Sequence, residues 1–116
     1  MIVLKNGEQE LLKLPLLKEL QKKEISYPLP MDIKDQKGVY FLFDNSNLCY
    51  VGKCISLRNR LTTHLTSCNI QRVNERMDKA RKTLQFYSFI EFNDKALRDV
   101  AEVIYIFIYK PILNIL

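Results

Sequence analysis

The chain has 116 residues, 47% of them hydrophobic, which allows one compact domain with a core and excludes a globally disordered protein. Its net charge of +5 is unevenly distributed: residues 53–82 carry eight basic and two acidic side chains, whereas residues 1–37 are nearly neutral. Clustered positive charge favours binding to a polyanion such as a nucleic acid, although a solvated helix face would have the same composition.

Membrane and zinc-binding functions are disfavoured by the sequence. The N-terminus has no apolar signal core, and the longest apolar run, Val103–Tyr109, is too short to span a bilayer. We therefore expect a soluble cytoplasmic protein without a membrane partner. The three cysteines form no CxxC pair and accompany a single histidine, so they are predicted to be small hydrophobic residues rather than zinc ligands or a disulfide scaffold.

Residues 1–36 are predicted to form an N-terminal helical extension. Six leucines between residues 11 and 20 fall roughly at helical spacing, and Pro15 is expected to mark the first turn of a helix ending near Glu24. Pro28 and Pro30 then favour an extended connection. The segment has no residues with an evident chemical role, so residues 1–30 are predicted to pack on the core or to contact a second copy or a protein partner.

Residues 37–116 are predicted to form an α/β (α+β) domain with a three-stranded, largely antiparallel sheet flanked by helices. Val39–Asp44 is a continuous apolar and aromatic run typical of a strand, and the polar residues 44–47 predict a turn into a second strand, Leu48–Gly52. Helices are expected at about 57–65 after the N-cap Ser56, at about 73–83, and from Asn93 or Asp94 to about Tyr109; a third strand is expected at 85–92 beside the hairpin.

Glu102 is a lone carboxylate in an otherwise apolar stretch of the last helix. Burying it without a partner would be costly, so it either binds a cation at the edge of a pocket or forms a salt bridge with a nearby lysine or arginine. A single carboxylate suits Mg²⁺ or Mn²⁺, because these ions keep several water ligands and bind substrate phosphate oxygens as well.

Two tyrosines and two arginines are further candidates for a catalytic role. Tyr40 and Tyr50 lie on adjacent predicted strands, where they serve either in packing or, if a nearby cation lowers the pKa of a phenol, in positioning or deprotonating a water molecule. The planar guanidinium of Arg60 would match the charge of a pentacovalent phosphorane. Arg58 is a competitor, but two residues of separation place the two arginines on different helix faces.

The tripeptides Gly38-Val39-Tyr40 and Tyr50-Val51-Gly52, followed by Lys53 and by the basic sequence 57–61, resemble the motifs of the GIY-YIG nuclease family. In that family the catalytic arginine lies ten residues after the second tyrosine, which corresponds to Arg60. The metal-binding glutamate precedes a Pro-x-x-Asn sequence by nine residues, which corresponds to Glu102 before Pro111. The resemblance covers residues 37–116 and leaves residues 1–36 outside.

The resemblance implies a divalent-metal-dependent DNA endonuclease that hydrolyses phosphodiester bonds by in-line attack of water. Tyr40 would be the general base, Tyr50 would orient the nucleophile or phosphate, Arg60 would stabilise charge, and Glu102 would bind Mg²⁺ or Mn²⁺. Supporting positions are Gly52, Lys53, His64 and Asn114. For His64, a packing or solvent-facing role is favoured over participation near the water.

Nucleic-acid binding is predicted for seven basic side chains: Lys53, Arg58, Arg72, Arg76, Lys79, Arg81 and Lys82. The expected partner is duplex or branched DNA, with RNA as an alternative. The same basic surface would also suit a different class of protein, a catalytically silent nucleic-acid-binding module or an accessory subunit of a DNA-processing complex. Nothing in the sequence resembles a zinc finger or a helix-turn-helix that would supply sequence specificity.

Overall fold

The structure is a computed structural model that describes residues 14–25, 29–45, 47–66 and 84–115, without the side chains of residues 64–66 and 115. Its elements, in chain order, are a one-turn 3-10 helix Leu17–Glu19, strands β1 (Lys23–Glu24), β2 (Gly38–Asp44) and β3 (Asn47–Cys54), helix α1 (Leu57–Thr66), strand β4 (Phe86–Glu91), and helices α2 (Lys95–Tyr109) and α3 (Ile112–Ile115). Within these ranges, no helix has both the length and the hydropathy needed to cross a bilayer.

The four strands form one antiparallel sheet in the order β1-β4-β2-β3. The predicted fold class is confirmed, with four strands instead of three. The predicted hairpin is β2 and β3, and the predicted third strand is β4, which pairs with β2. The helix predicted at about 73–83 lies outside the described residues. Strand β3 is at the edge of the sheet, so one side of its backbone has no strand partner.

Helices cover both faces of the sheet, which explains why β2 is a continuous apolar run rather than an alternating one. Successive side chains of β2 point to opposite faces. On the first face, Tyr40 and Leu42 pack with Leu57 and Leu61 of α1. On the second face, the cluster joins β2 and β3 to α2 and contains Val39, Phe41, Phe43, Val51, Ala101 and Tyr105.

Helix α2 begins and ends where its sequence predicts. The Asp94 carboxylate accepts a hydrogen bond from the Leu97 N–H at 3.1 Å, so Asp94 is the N-cap that was one of two predicted candidates. At the other end, Lys110 adopts a left-handed conformation with φ of 47° directly before Pro111. Helix α1 likewise has the predicted cap, because Ser56 Oγ accepts from the Asn59 N–H at 3.2 Å.

The helix predicted to run from Pro15 to Glu24 is wrong. Only one 3-10 turn forms, and Lys23–Glu24 is a short strand paired with β4. The leucines that pack on the second face are Leu14, Leu17 and Leu20. Their spacing of three residues fits a tighter 3-10 turn and an extended continuation better than a 3.6-residue helix.

Hydroxyl groups of the domain bind the backbone of this N-terminal segment. Tyr105 donates to the Pro15 carbonyl, Tyr109 accepts from the Leu17 N–H, and Ser88 donates to the Gln21 carbonyl, each at 2.8 Å. These bonds satisfy backbone groups that an α-helix would have paired internally. The segment is therefore an integral part of the described domain, held against β4 and α2.

The glycine of each tripeptide is required by close packing. A Cβ atom at Gly52 would lie 2.5 Å from the Tyr40 hydroxyl oxygen and 2.6 Å from its ring carbon Cζ, because the Tyr40 ring lies over its cross-strand partner Gly52. A Cβ atom at Gly38 would collide with the Ile90 carbonyl oxygen and lie 2.7 Å from the Phe89 ring. The glycine in Tyr50-Val51-Gly52 thus creates the space that the tyrosine of the other tripeptide occupies.

Gly52→Ala is expected to destabilise the protein by about 1–3 kcal/mol, the usual cost of adding a methyl group to a packed site. The Tyr40 ring is only 1% exposed and has no free space to move into. Urea denaturation measures the change in free energy of unfolding. In a Tyr40→Ala background the same substitution should cost much less, and an equal cost in both backgrounds would contradict the packing argument.

Tyr105→Phe is expected to lower the free energy of unfolding by about 1 kcal/mol, because the Pro15 carbonyl would lose its hydrogen-bond donor. Urea denaturation of the intact chain again gives the measurement. Removing residues 1–25 provides the control: in that shortened chain Tyr105→Phe should be close to neutral. A full effect in the shortened chain would show that the hydroxyl does not act through Pro15.

Candidate active site

The free edge of β3 obtains its hydrogen-bond partners from two side chains. Asn114 of α3 accepts from the Val51 N–H with Oδ1 and donates to the Val51 carbonyl with Nδ2, both at 2.8 Å. Glu102 of α2 accepts from the Lys53 N–H with Oε2 at 2.7 Å. Two polar side chains therefore occupy the positions that a further strand would fill.

Glu102 is half-buried, and the single hydrogen bond from Lys53 orients its carboxylate. Of the two roles that the sequence left open, a salt bridge is not observed for Glu102 among the described residues, whose ion pairs involve Lys53, Lys95 and Asp99. The carboxylate is thus held at the edge of the sheet without a cationic side chain directly on it. That arrangement is suited to a metal ligand.

Asp99 lies one helical turn before Glu102 and forms two ion pairs. Its Oδ1 is 2.9 Å from Lys53 Nζ, and its Oδ2 is 2.8 Å from Lys95 Nζ. The hydrogen bonds from Lys95 and then Lys53 lower the pKa of Asp99 to about 2, and the bond to Asp99 raises the pKa of Lys53. Sequence reasoning missed Asp99, although its spacing of four from Lys95 and three from Glu102 puts all three on one helix face.

Tyr40 and Tyr50 lie side by side on the first face of the sheet, with ring centroids 5.9 Å apart and an interplanar angle of 40°. Tyr40 is buried, whereas Tyr50 is half-buried. Burial raises the pKa of Tyr40 well above its usual value, and Tyr50 raises it further, while the charge of Arg60 acts in the opposite direction. The sequence made proton abstraction by a tyrosine conditional on a nearby cation that lowers its pKa. For Tyr40 the effect of burial outweighs that of Arg60, and the pKa is raised.

Arg60 is exposed on α1 and lines two adjoining depressions of about 350 and 260 Å³. The larger one is shared with Ser56 and Asn59 of α1, and the smaller one with Lys53 and Asp99. Its charge also reaches the Tyr40 hydroxyl. Arg60 therefore lies near both the tyrosine pair on the first face and the charged residues Lys53 and Asp99.

Arg58, for which a DNA contact is predicted, also has a structural role. Its Nη1 donates to the carbonyls of Pro30 and Ile33, at 2.8 and 3.1 Å, and thereby attaches the loop before β2 to α1. Arg98, which the sequence did not single out, acts in the same way on the carbonyls of Phe92 and Asn93. Of the two arginines on α1, only Arg60 faces the depressions, as its spacing from Tyr50 predicts.

Several predicted residues cannot be placed. The His64 backbone belongs to α1, but its side chain is outside the description, and Arg72, Arg76, Lys79, Arg81 and Lys82 lie outside the described residues. A cavity of about 490 Å³ lies between the 3-10 helix, Phe43 and Tyr109, and none of the predicted catalytic residues lines it.

The oxygen donors around Glu102 suit a divalent cation that takes few protein ligands. The described residues contain no group of three or more histidine, cysteine, aspartate or glutamate side chains, so a metal here would have one protein carboxylate and otherwise water or substrate oxygens. This coordination fits Mg²⁺, which retains water ligands, and does not fit Zn²⁺, which takes three or four protein ligands. Glu102 is suited to Mg²⁺ because its carboxylate is oriented, half-exposed and unpaired with any described cationic side chain.

The chain was then compared with known proteins. Comparison with curated proteins found no match. Among solved structures, the N-terminal GIY-YIG endonuclease domain of UvrC from Thermotoga maritima bound to magnesium is 24% identical, with a TM-score of 0.59; the match covers 72% of this chain and 89% of that one. A tyrosine-to-phenylalanine variant of the same domain, bound to its catalytic divalent cation, gives 20% identity and a TM-score of 0.60, covering 72% and 89%.

At these identities the solved structures establish a shared fold, and the family is established by the sequence match. The family model described as the UvrC-like GIY-YIG domain matches residues 36–115, which is more than half of the chain. The match includes both tripeptides, Arg60, Glu102 and Asn114. The chain therefore belongs to the UvrC-like GIY-YIG nuclease family.

Proposed function

We propose that this protein is a divalent-metal-dependent DNA endonuclease that hydrolyses phosphodiester bonds by in-line attack of water. The observation that carries the proposal is the position of Glu102, whose carboxylate is oriented by the Lys53 N–H at the free edge of β3 and has no described ion pair. The magnesium bound to the UvrC domain of Thermotoga maritima supports the choice of metal.

Glu102 would hold Mg²⁺ or Mn²⁺, which when bound supplies electrophilic activation of the scissile phosphate and stabilisation of the leaving oxygen. The Lys53 N–H keeps the carboxylate in place without adding a positive charge of its own. Asn114 acts two residues earlier on the same strand, where it binds both backbone groups of Val51 between Tyr50 and Lys53.

Arg60 would bind the phosphate. It is exposed, always protonated and located where the two depressions meet. A planar guanidinium can donate two parallel hydrogen bonds to the equatorial oxygens, whose negative charge increases in the transition state. Lys53 is close to the same place, but its ammonium is bound to Asp99 and is less free to contact a phosphate.

The tyrosines would orient the attacking water through their hydroxyl groups. Burial favours the protonated form of Tyr40, so we assign it to hydrogen bonding rather than to proton abstraction in this state. Tyr50 is the more accessible of the two and is the better placed to contact water or phosphate. The charge of Arg60 already acts on Tyr40, and a cation held by Glu102 would add positive charge that favours ionisation of the Tyr40 phenol.

The basic sequence that follows the hairpin would bind the phosphate backbone. Residues 53–82 carry eight basic and two acidic side chains, which is enough to give DNA binding a steep dependence on salt concentration. The sequence has no segment that resembles a zinc finger or a helix-turn-helix, which would read base edges. We therefore propose that the protein recognises the form of its substrate, or depends on a partner for its target.

Glu102→Gln is expected to lower Mg²⁺- or Mn²⁺-dependent cleavage by about 100-fold or more, the scale for loss of one charged group that stabilises a transition state. Supercoiled plasmid, linear duplex and branched DNA should be assayed in parallel, so that the preferred form is identified. Glu24→Gln is the matched control, because it removes the same charge from an exposed residue of β1, at the opposite edge of the sheet.

Equal activity of the Glu102→Gln and wild-type proteins would contradict the metal-ligand role. Salt-dependent DNA binding by a folded protein that cuts none of the three substrates with either metal would instead support the silent binding module. The two results are separate, because the first requires cleavage and the second its absence.

Arg60→Ala and Arg58→Ala are expected to differ in what they damage. Arg60→Ala should lower kcat/KM by about 100-fold or more at nearly unchanged stability, because the side chain is exposed and faces the depressions. Arg58→Ala should lower the free energy of unfolding by about 1–3 kcal/mol, because the Ile33 carbonyl loses its Arg58 donor and the Pro30 carbonyl keeps only the Ile33 N–H.

Cleavage kinetics and urea denaturation of both variants provide the measurement. Arg60→Lys separates charge from geometry and should recover only part of the activity, since an ammonium cannot donate two parallel bonds. If the folded fraction of Arg58→Ala showed a large loss of cleavage and Arg60→Ala showed none, Arg58 and not Arg60 would be the residue that binds the phosphate.

A further inference from the structure

Lys53 contacts two neighbouring carboxylates of α2 through different groups. Its backbone N–H binds Glu102 Oε2 at 2.7 Å, while its ammonium binds Asp99 Oδ1 at 2.9 Å. The side chain of Lys53 is thus turned away from the carboxylate that its own backbone holds. This division matters because an ammonium on Glu102 would occupy the oxygens that a divalent cation needs.

Asp99 is itself held in a defined orientation. Lys95, four residues earlier on α2, binds Oδ2 at 2.8 Å and leaves Oδ1 for Lys53. Glu102 follows Asp99 by three residues, so both carboxylates project from the same side of the helix. The charge of Glu102 also acts on the Lys53 ammonium, although its effect is smaller than that of Asp99. The Lys53 ammonium is therefore influenced by both carboxylates but forms its hydrogen bond with Asp99.

We infer that Asp99 is a positioning residue that holds the Lys53 ammonium away from Glu102 and so keeps the Glu102 carboxylate available to a divalent cation. The inference rests on the proposed metal site. Without Asp99, Glu102 would be the other described carboxylate whose charge acts on the ammonium, and the ammonium would compete with the metal for it. The cation affinity of the protein would then fall although every group that touches the metal is still present.

The test is Mn²⁺ binding by isothermal titration calorimetry in the absence of DNA, with the full chain. Asp99→Asn is expected to raise the Kd for Mn²⁺ by about tenfold, in the range for loss of a residue that supports a metal ligand. Cleavage measured against metal concentration should show the same shift in half-saturation, with kcat largely recovered at saturating Mn²⁺. A purely structural role for Asp99 would not produce that separation.

Two double variants separate capture by Lys53 from a simple change in net charge. Asp99→Asn with Lys53→Met and Asp99→Asn with Lys95→Met both have the net charge of the wild-type protein. Only the first removes the ammonium that would compete with the metal. The inference predicts wild-type-like Mn²⁺ binding for the first and continued weak binding for the second. Recovery in both would show that net charge alone is responsible and would overturn the inference.

Glu102→Gln distinguishes failure of this inference from failure of the proposed function. Mn²⁺ binding that is insensitive to Glu102→Gln, or the absence of binding in the wild-type protein, would overturn the proposed metal site and the inference with it. Binding that depends on Glu102 but is unchanged in Asp99→Asn would overturn the inference alone. A crystal structure of Asp99→Asn gives a direct check, since Lys53 Nζ should then lie within ion-pair distance of Glu102.

Discussion

The unpaired edge of β3 is the constraint on which the rest of the site depends. An edge strand exposes backbone N–H and C=O groups that need partners, and here the partners come from the chain's own last two helices. Asn114 binds both groups of Val51, and Glu102 binds the N–H of Lys53. The bonds that complete the sheet therefore also orient the carboxylate proposed to bind metal.

The first face of the sheet is arranged around a different constraint, the space below the Tyr40 ring. Gly52 has no side chain, so the ring can lie directly over the β3 backbone, and Tyr50 packs beside it. The same burial that positions Tyr40 also disfavours its ionised form. Precise placement of this hydroxyl and easy deprotonation are therefore opposed, and Arg60 is the described residue whose charge partly offsets the effect of burial on Tyr40.

Charge at the second face is divided between neighbouring carboxylates. Asp99 has two lysine partners, whereas Glu102 has a backbone N–H and no described ion pair. Two carboxylates one helical turn apart thus differ in availability because of the lysines that surround them. Residues 14–25 of the N-terminal segment do not contribute to this cluster. These residues are bound instead to α2 and β4 through the hydroxyls of Tyr105, Tyr109 and Ser88.

The sequence by itself determined most of the domain from Gly38 onward. The strands, the caps at Ser56 and Asp94, and the end of α2 before Pro111 are set by local patterns, and these predictions are confirmed within the described residues. Local chemistry was sufficient for these elements because propensity, capping and hydrophobic pattern agree with one another. The spacing of the family motifs pointed to Arg60 and Glu102, whose catalytic roles stay predictions.

Tertiary structure decided what depends on distant partners. The leucines before Glu24 were compatible with a helix, and pairing with β4 and the tyrosine hydroxyls of α2 made the segment extended instead. The direction of the Tyr40 pKa, the attachment of Arg58 to Pro30, and the use of Asp99 by Lys53 likewise depend on residues far apart in the chain. Burial and ion pairing are properties of the packed molecule, and single-sequence patterns do not encode which distant groups will meet.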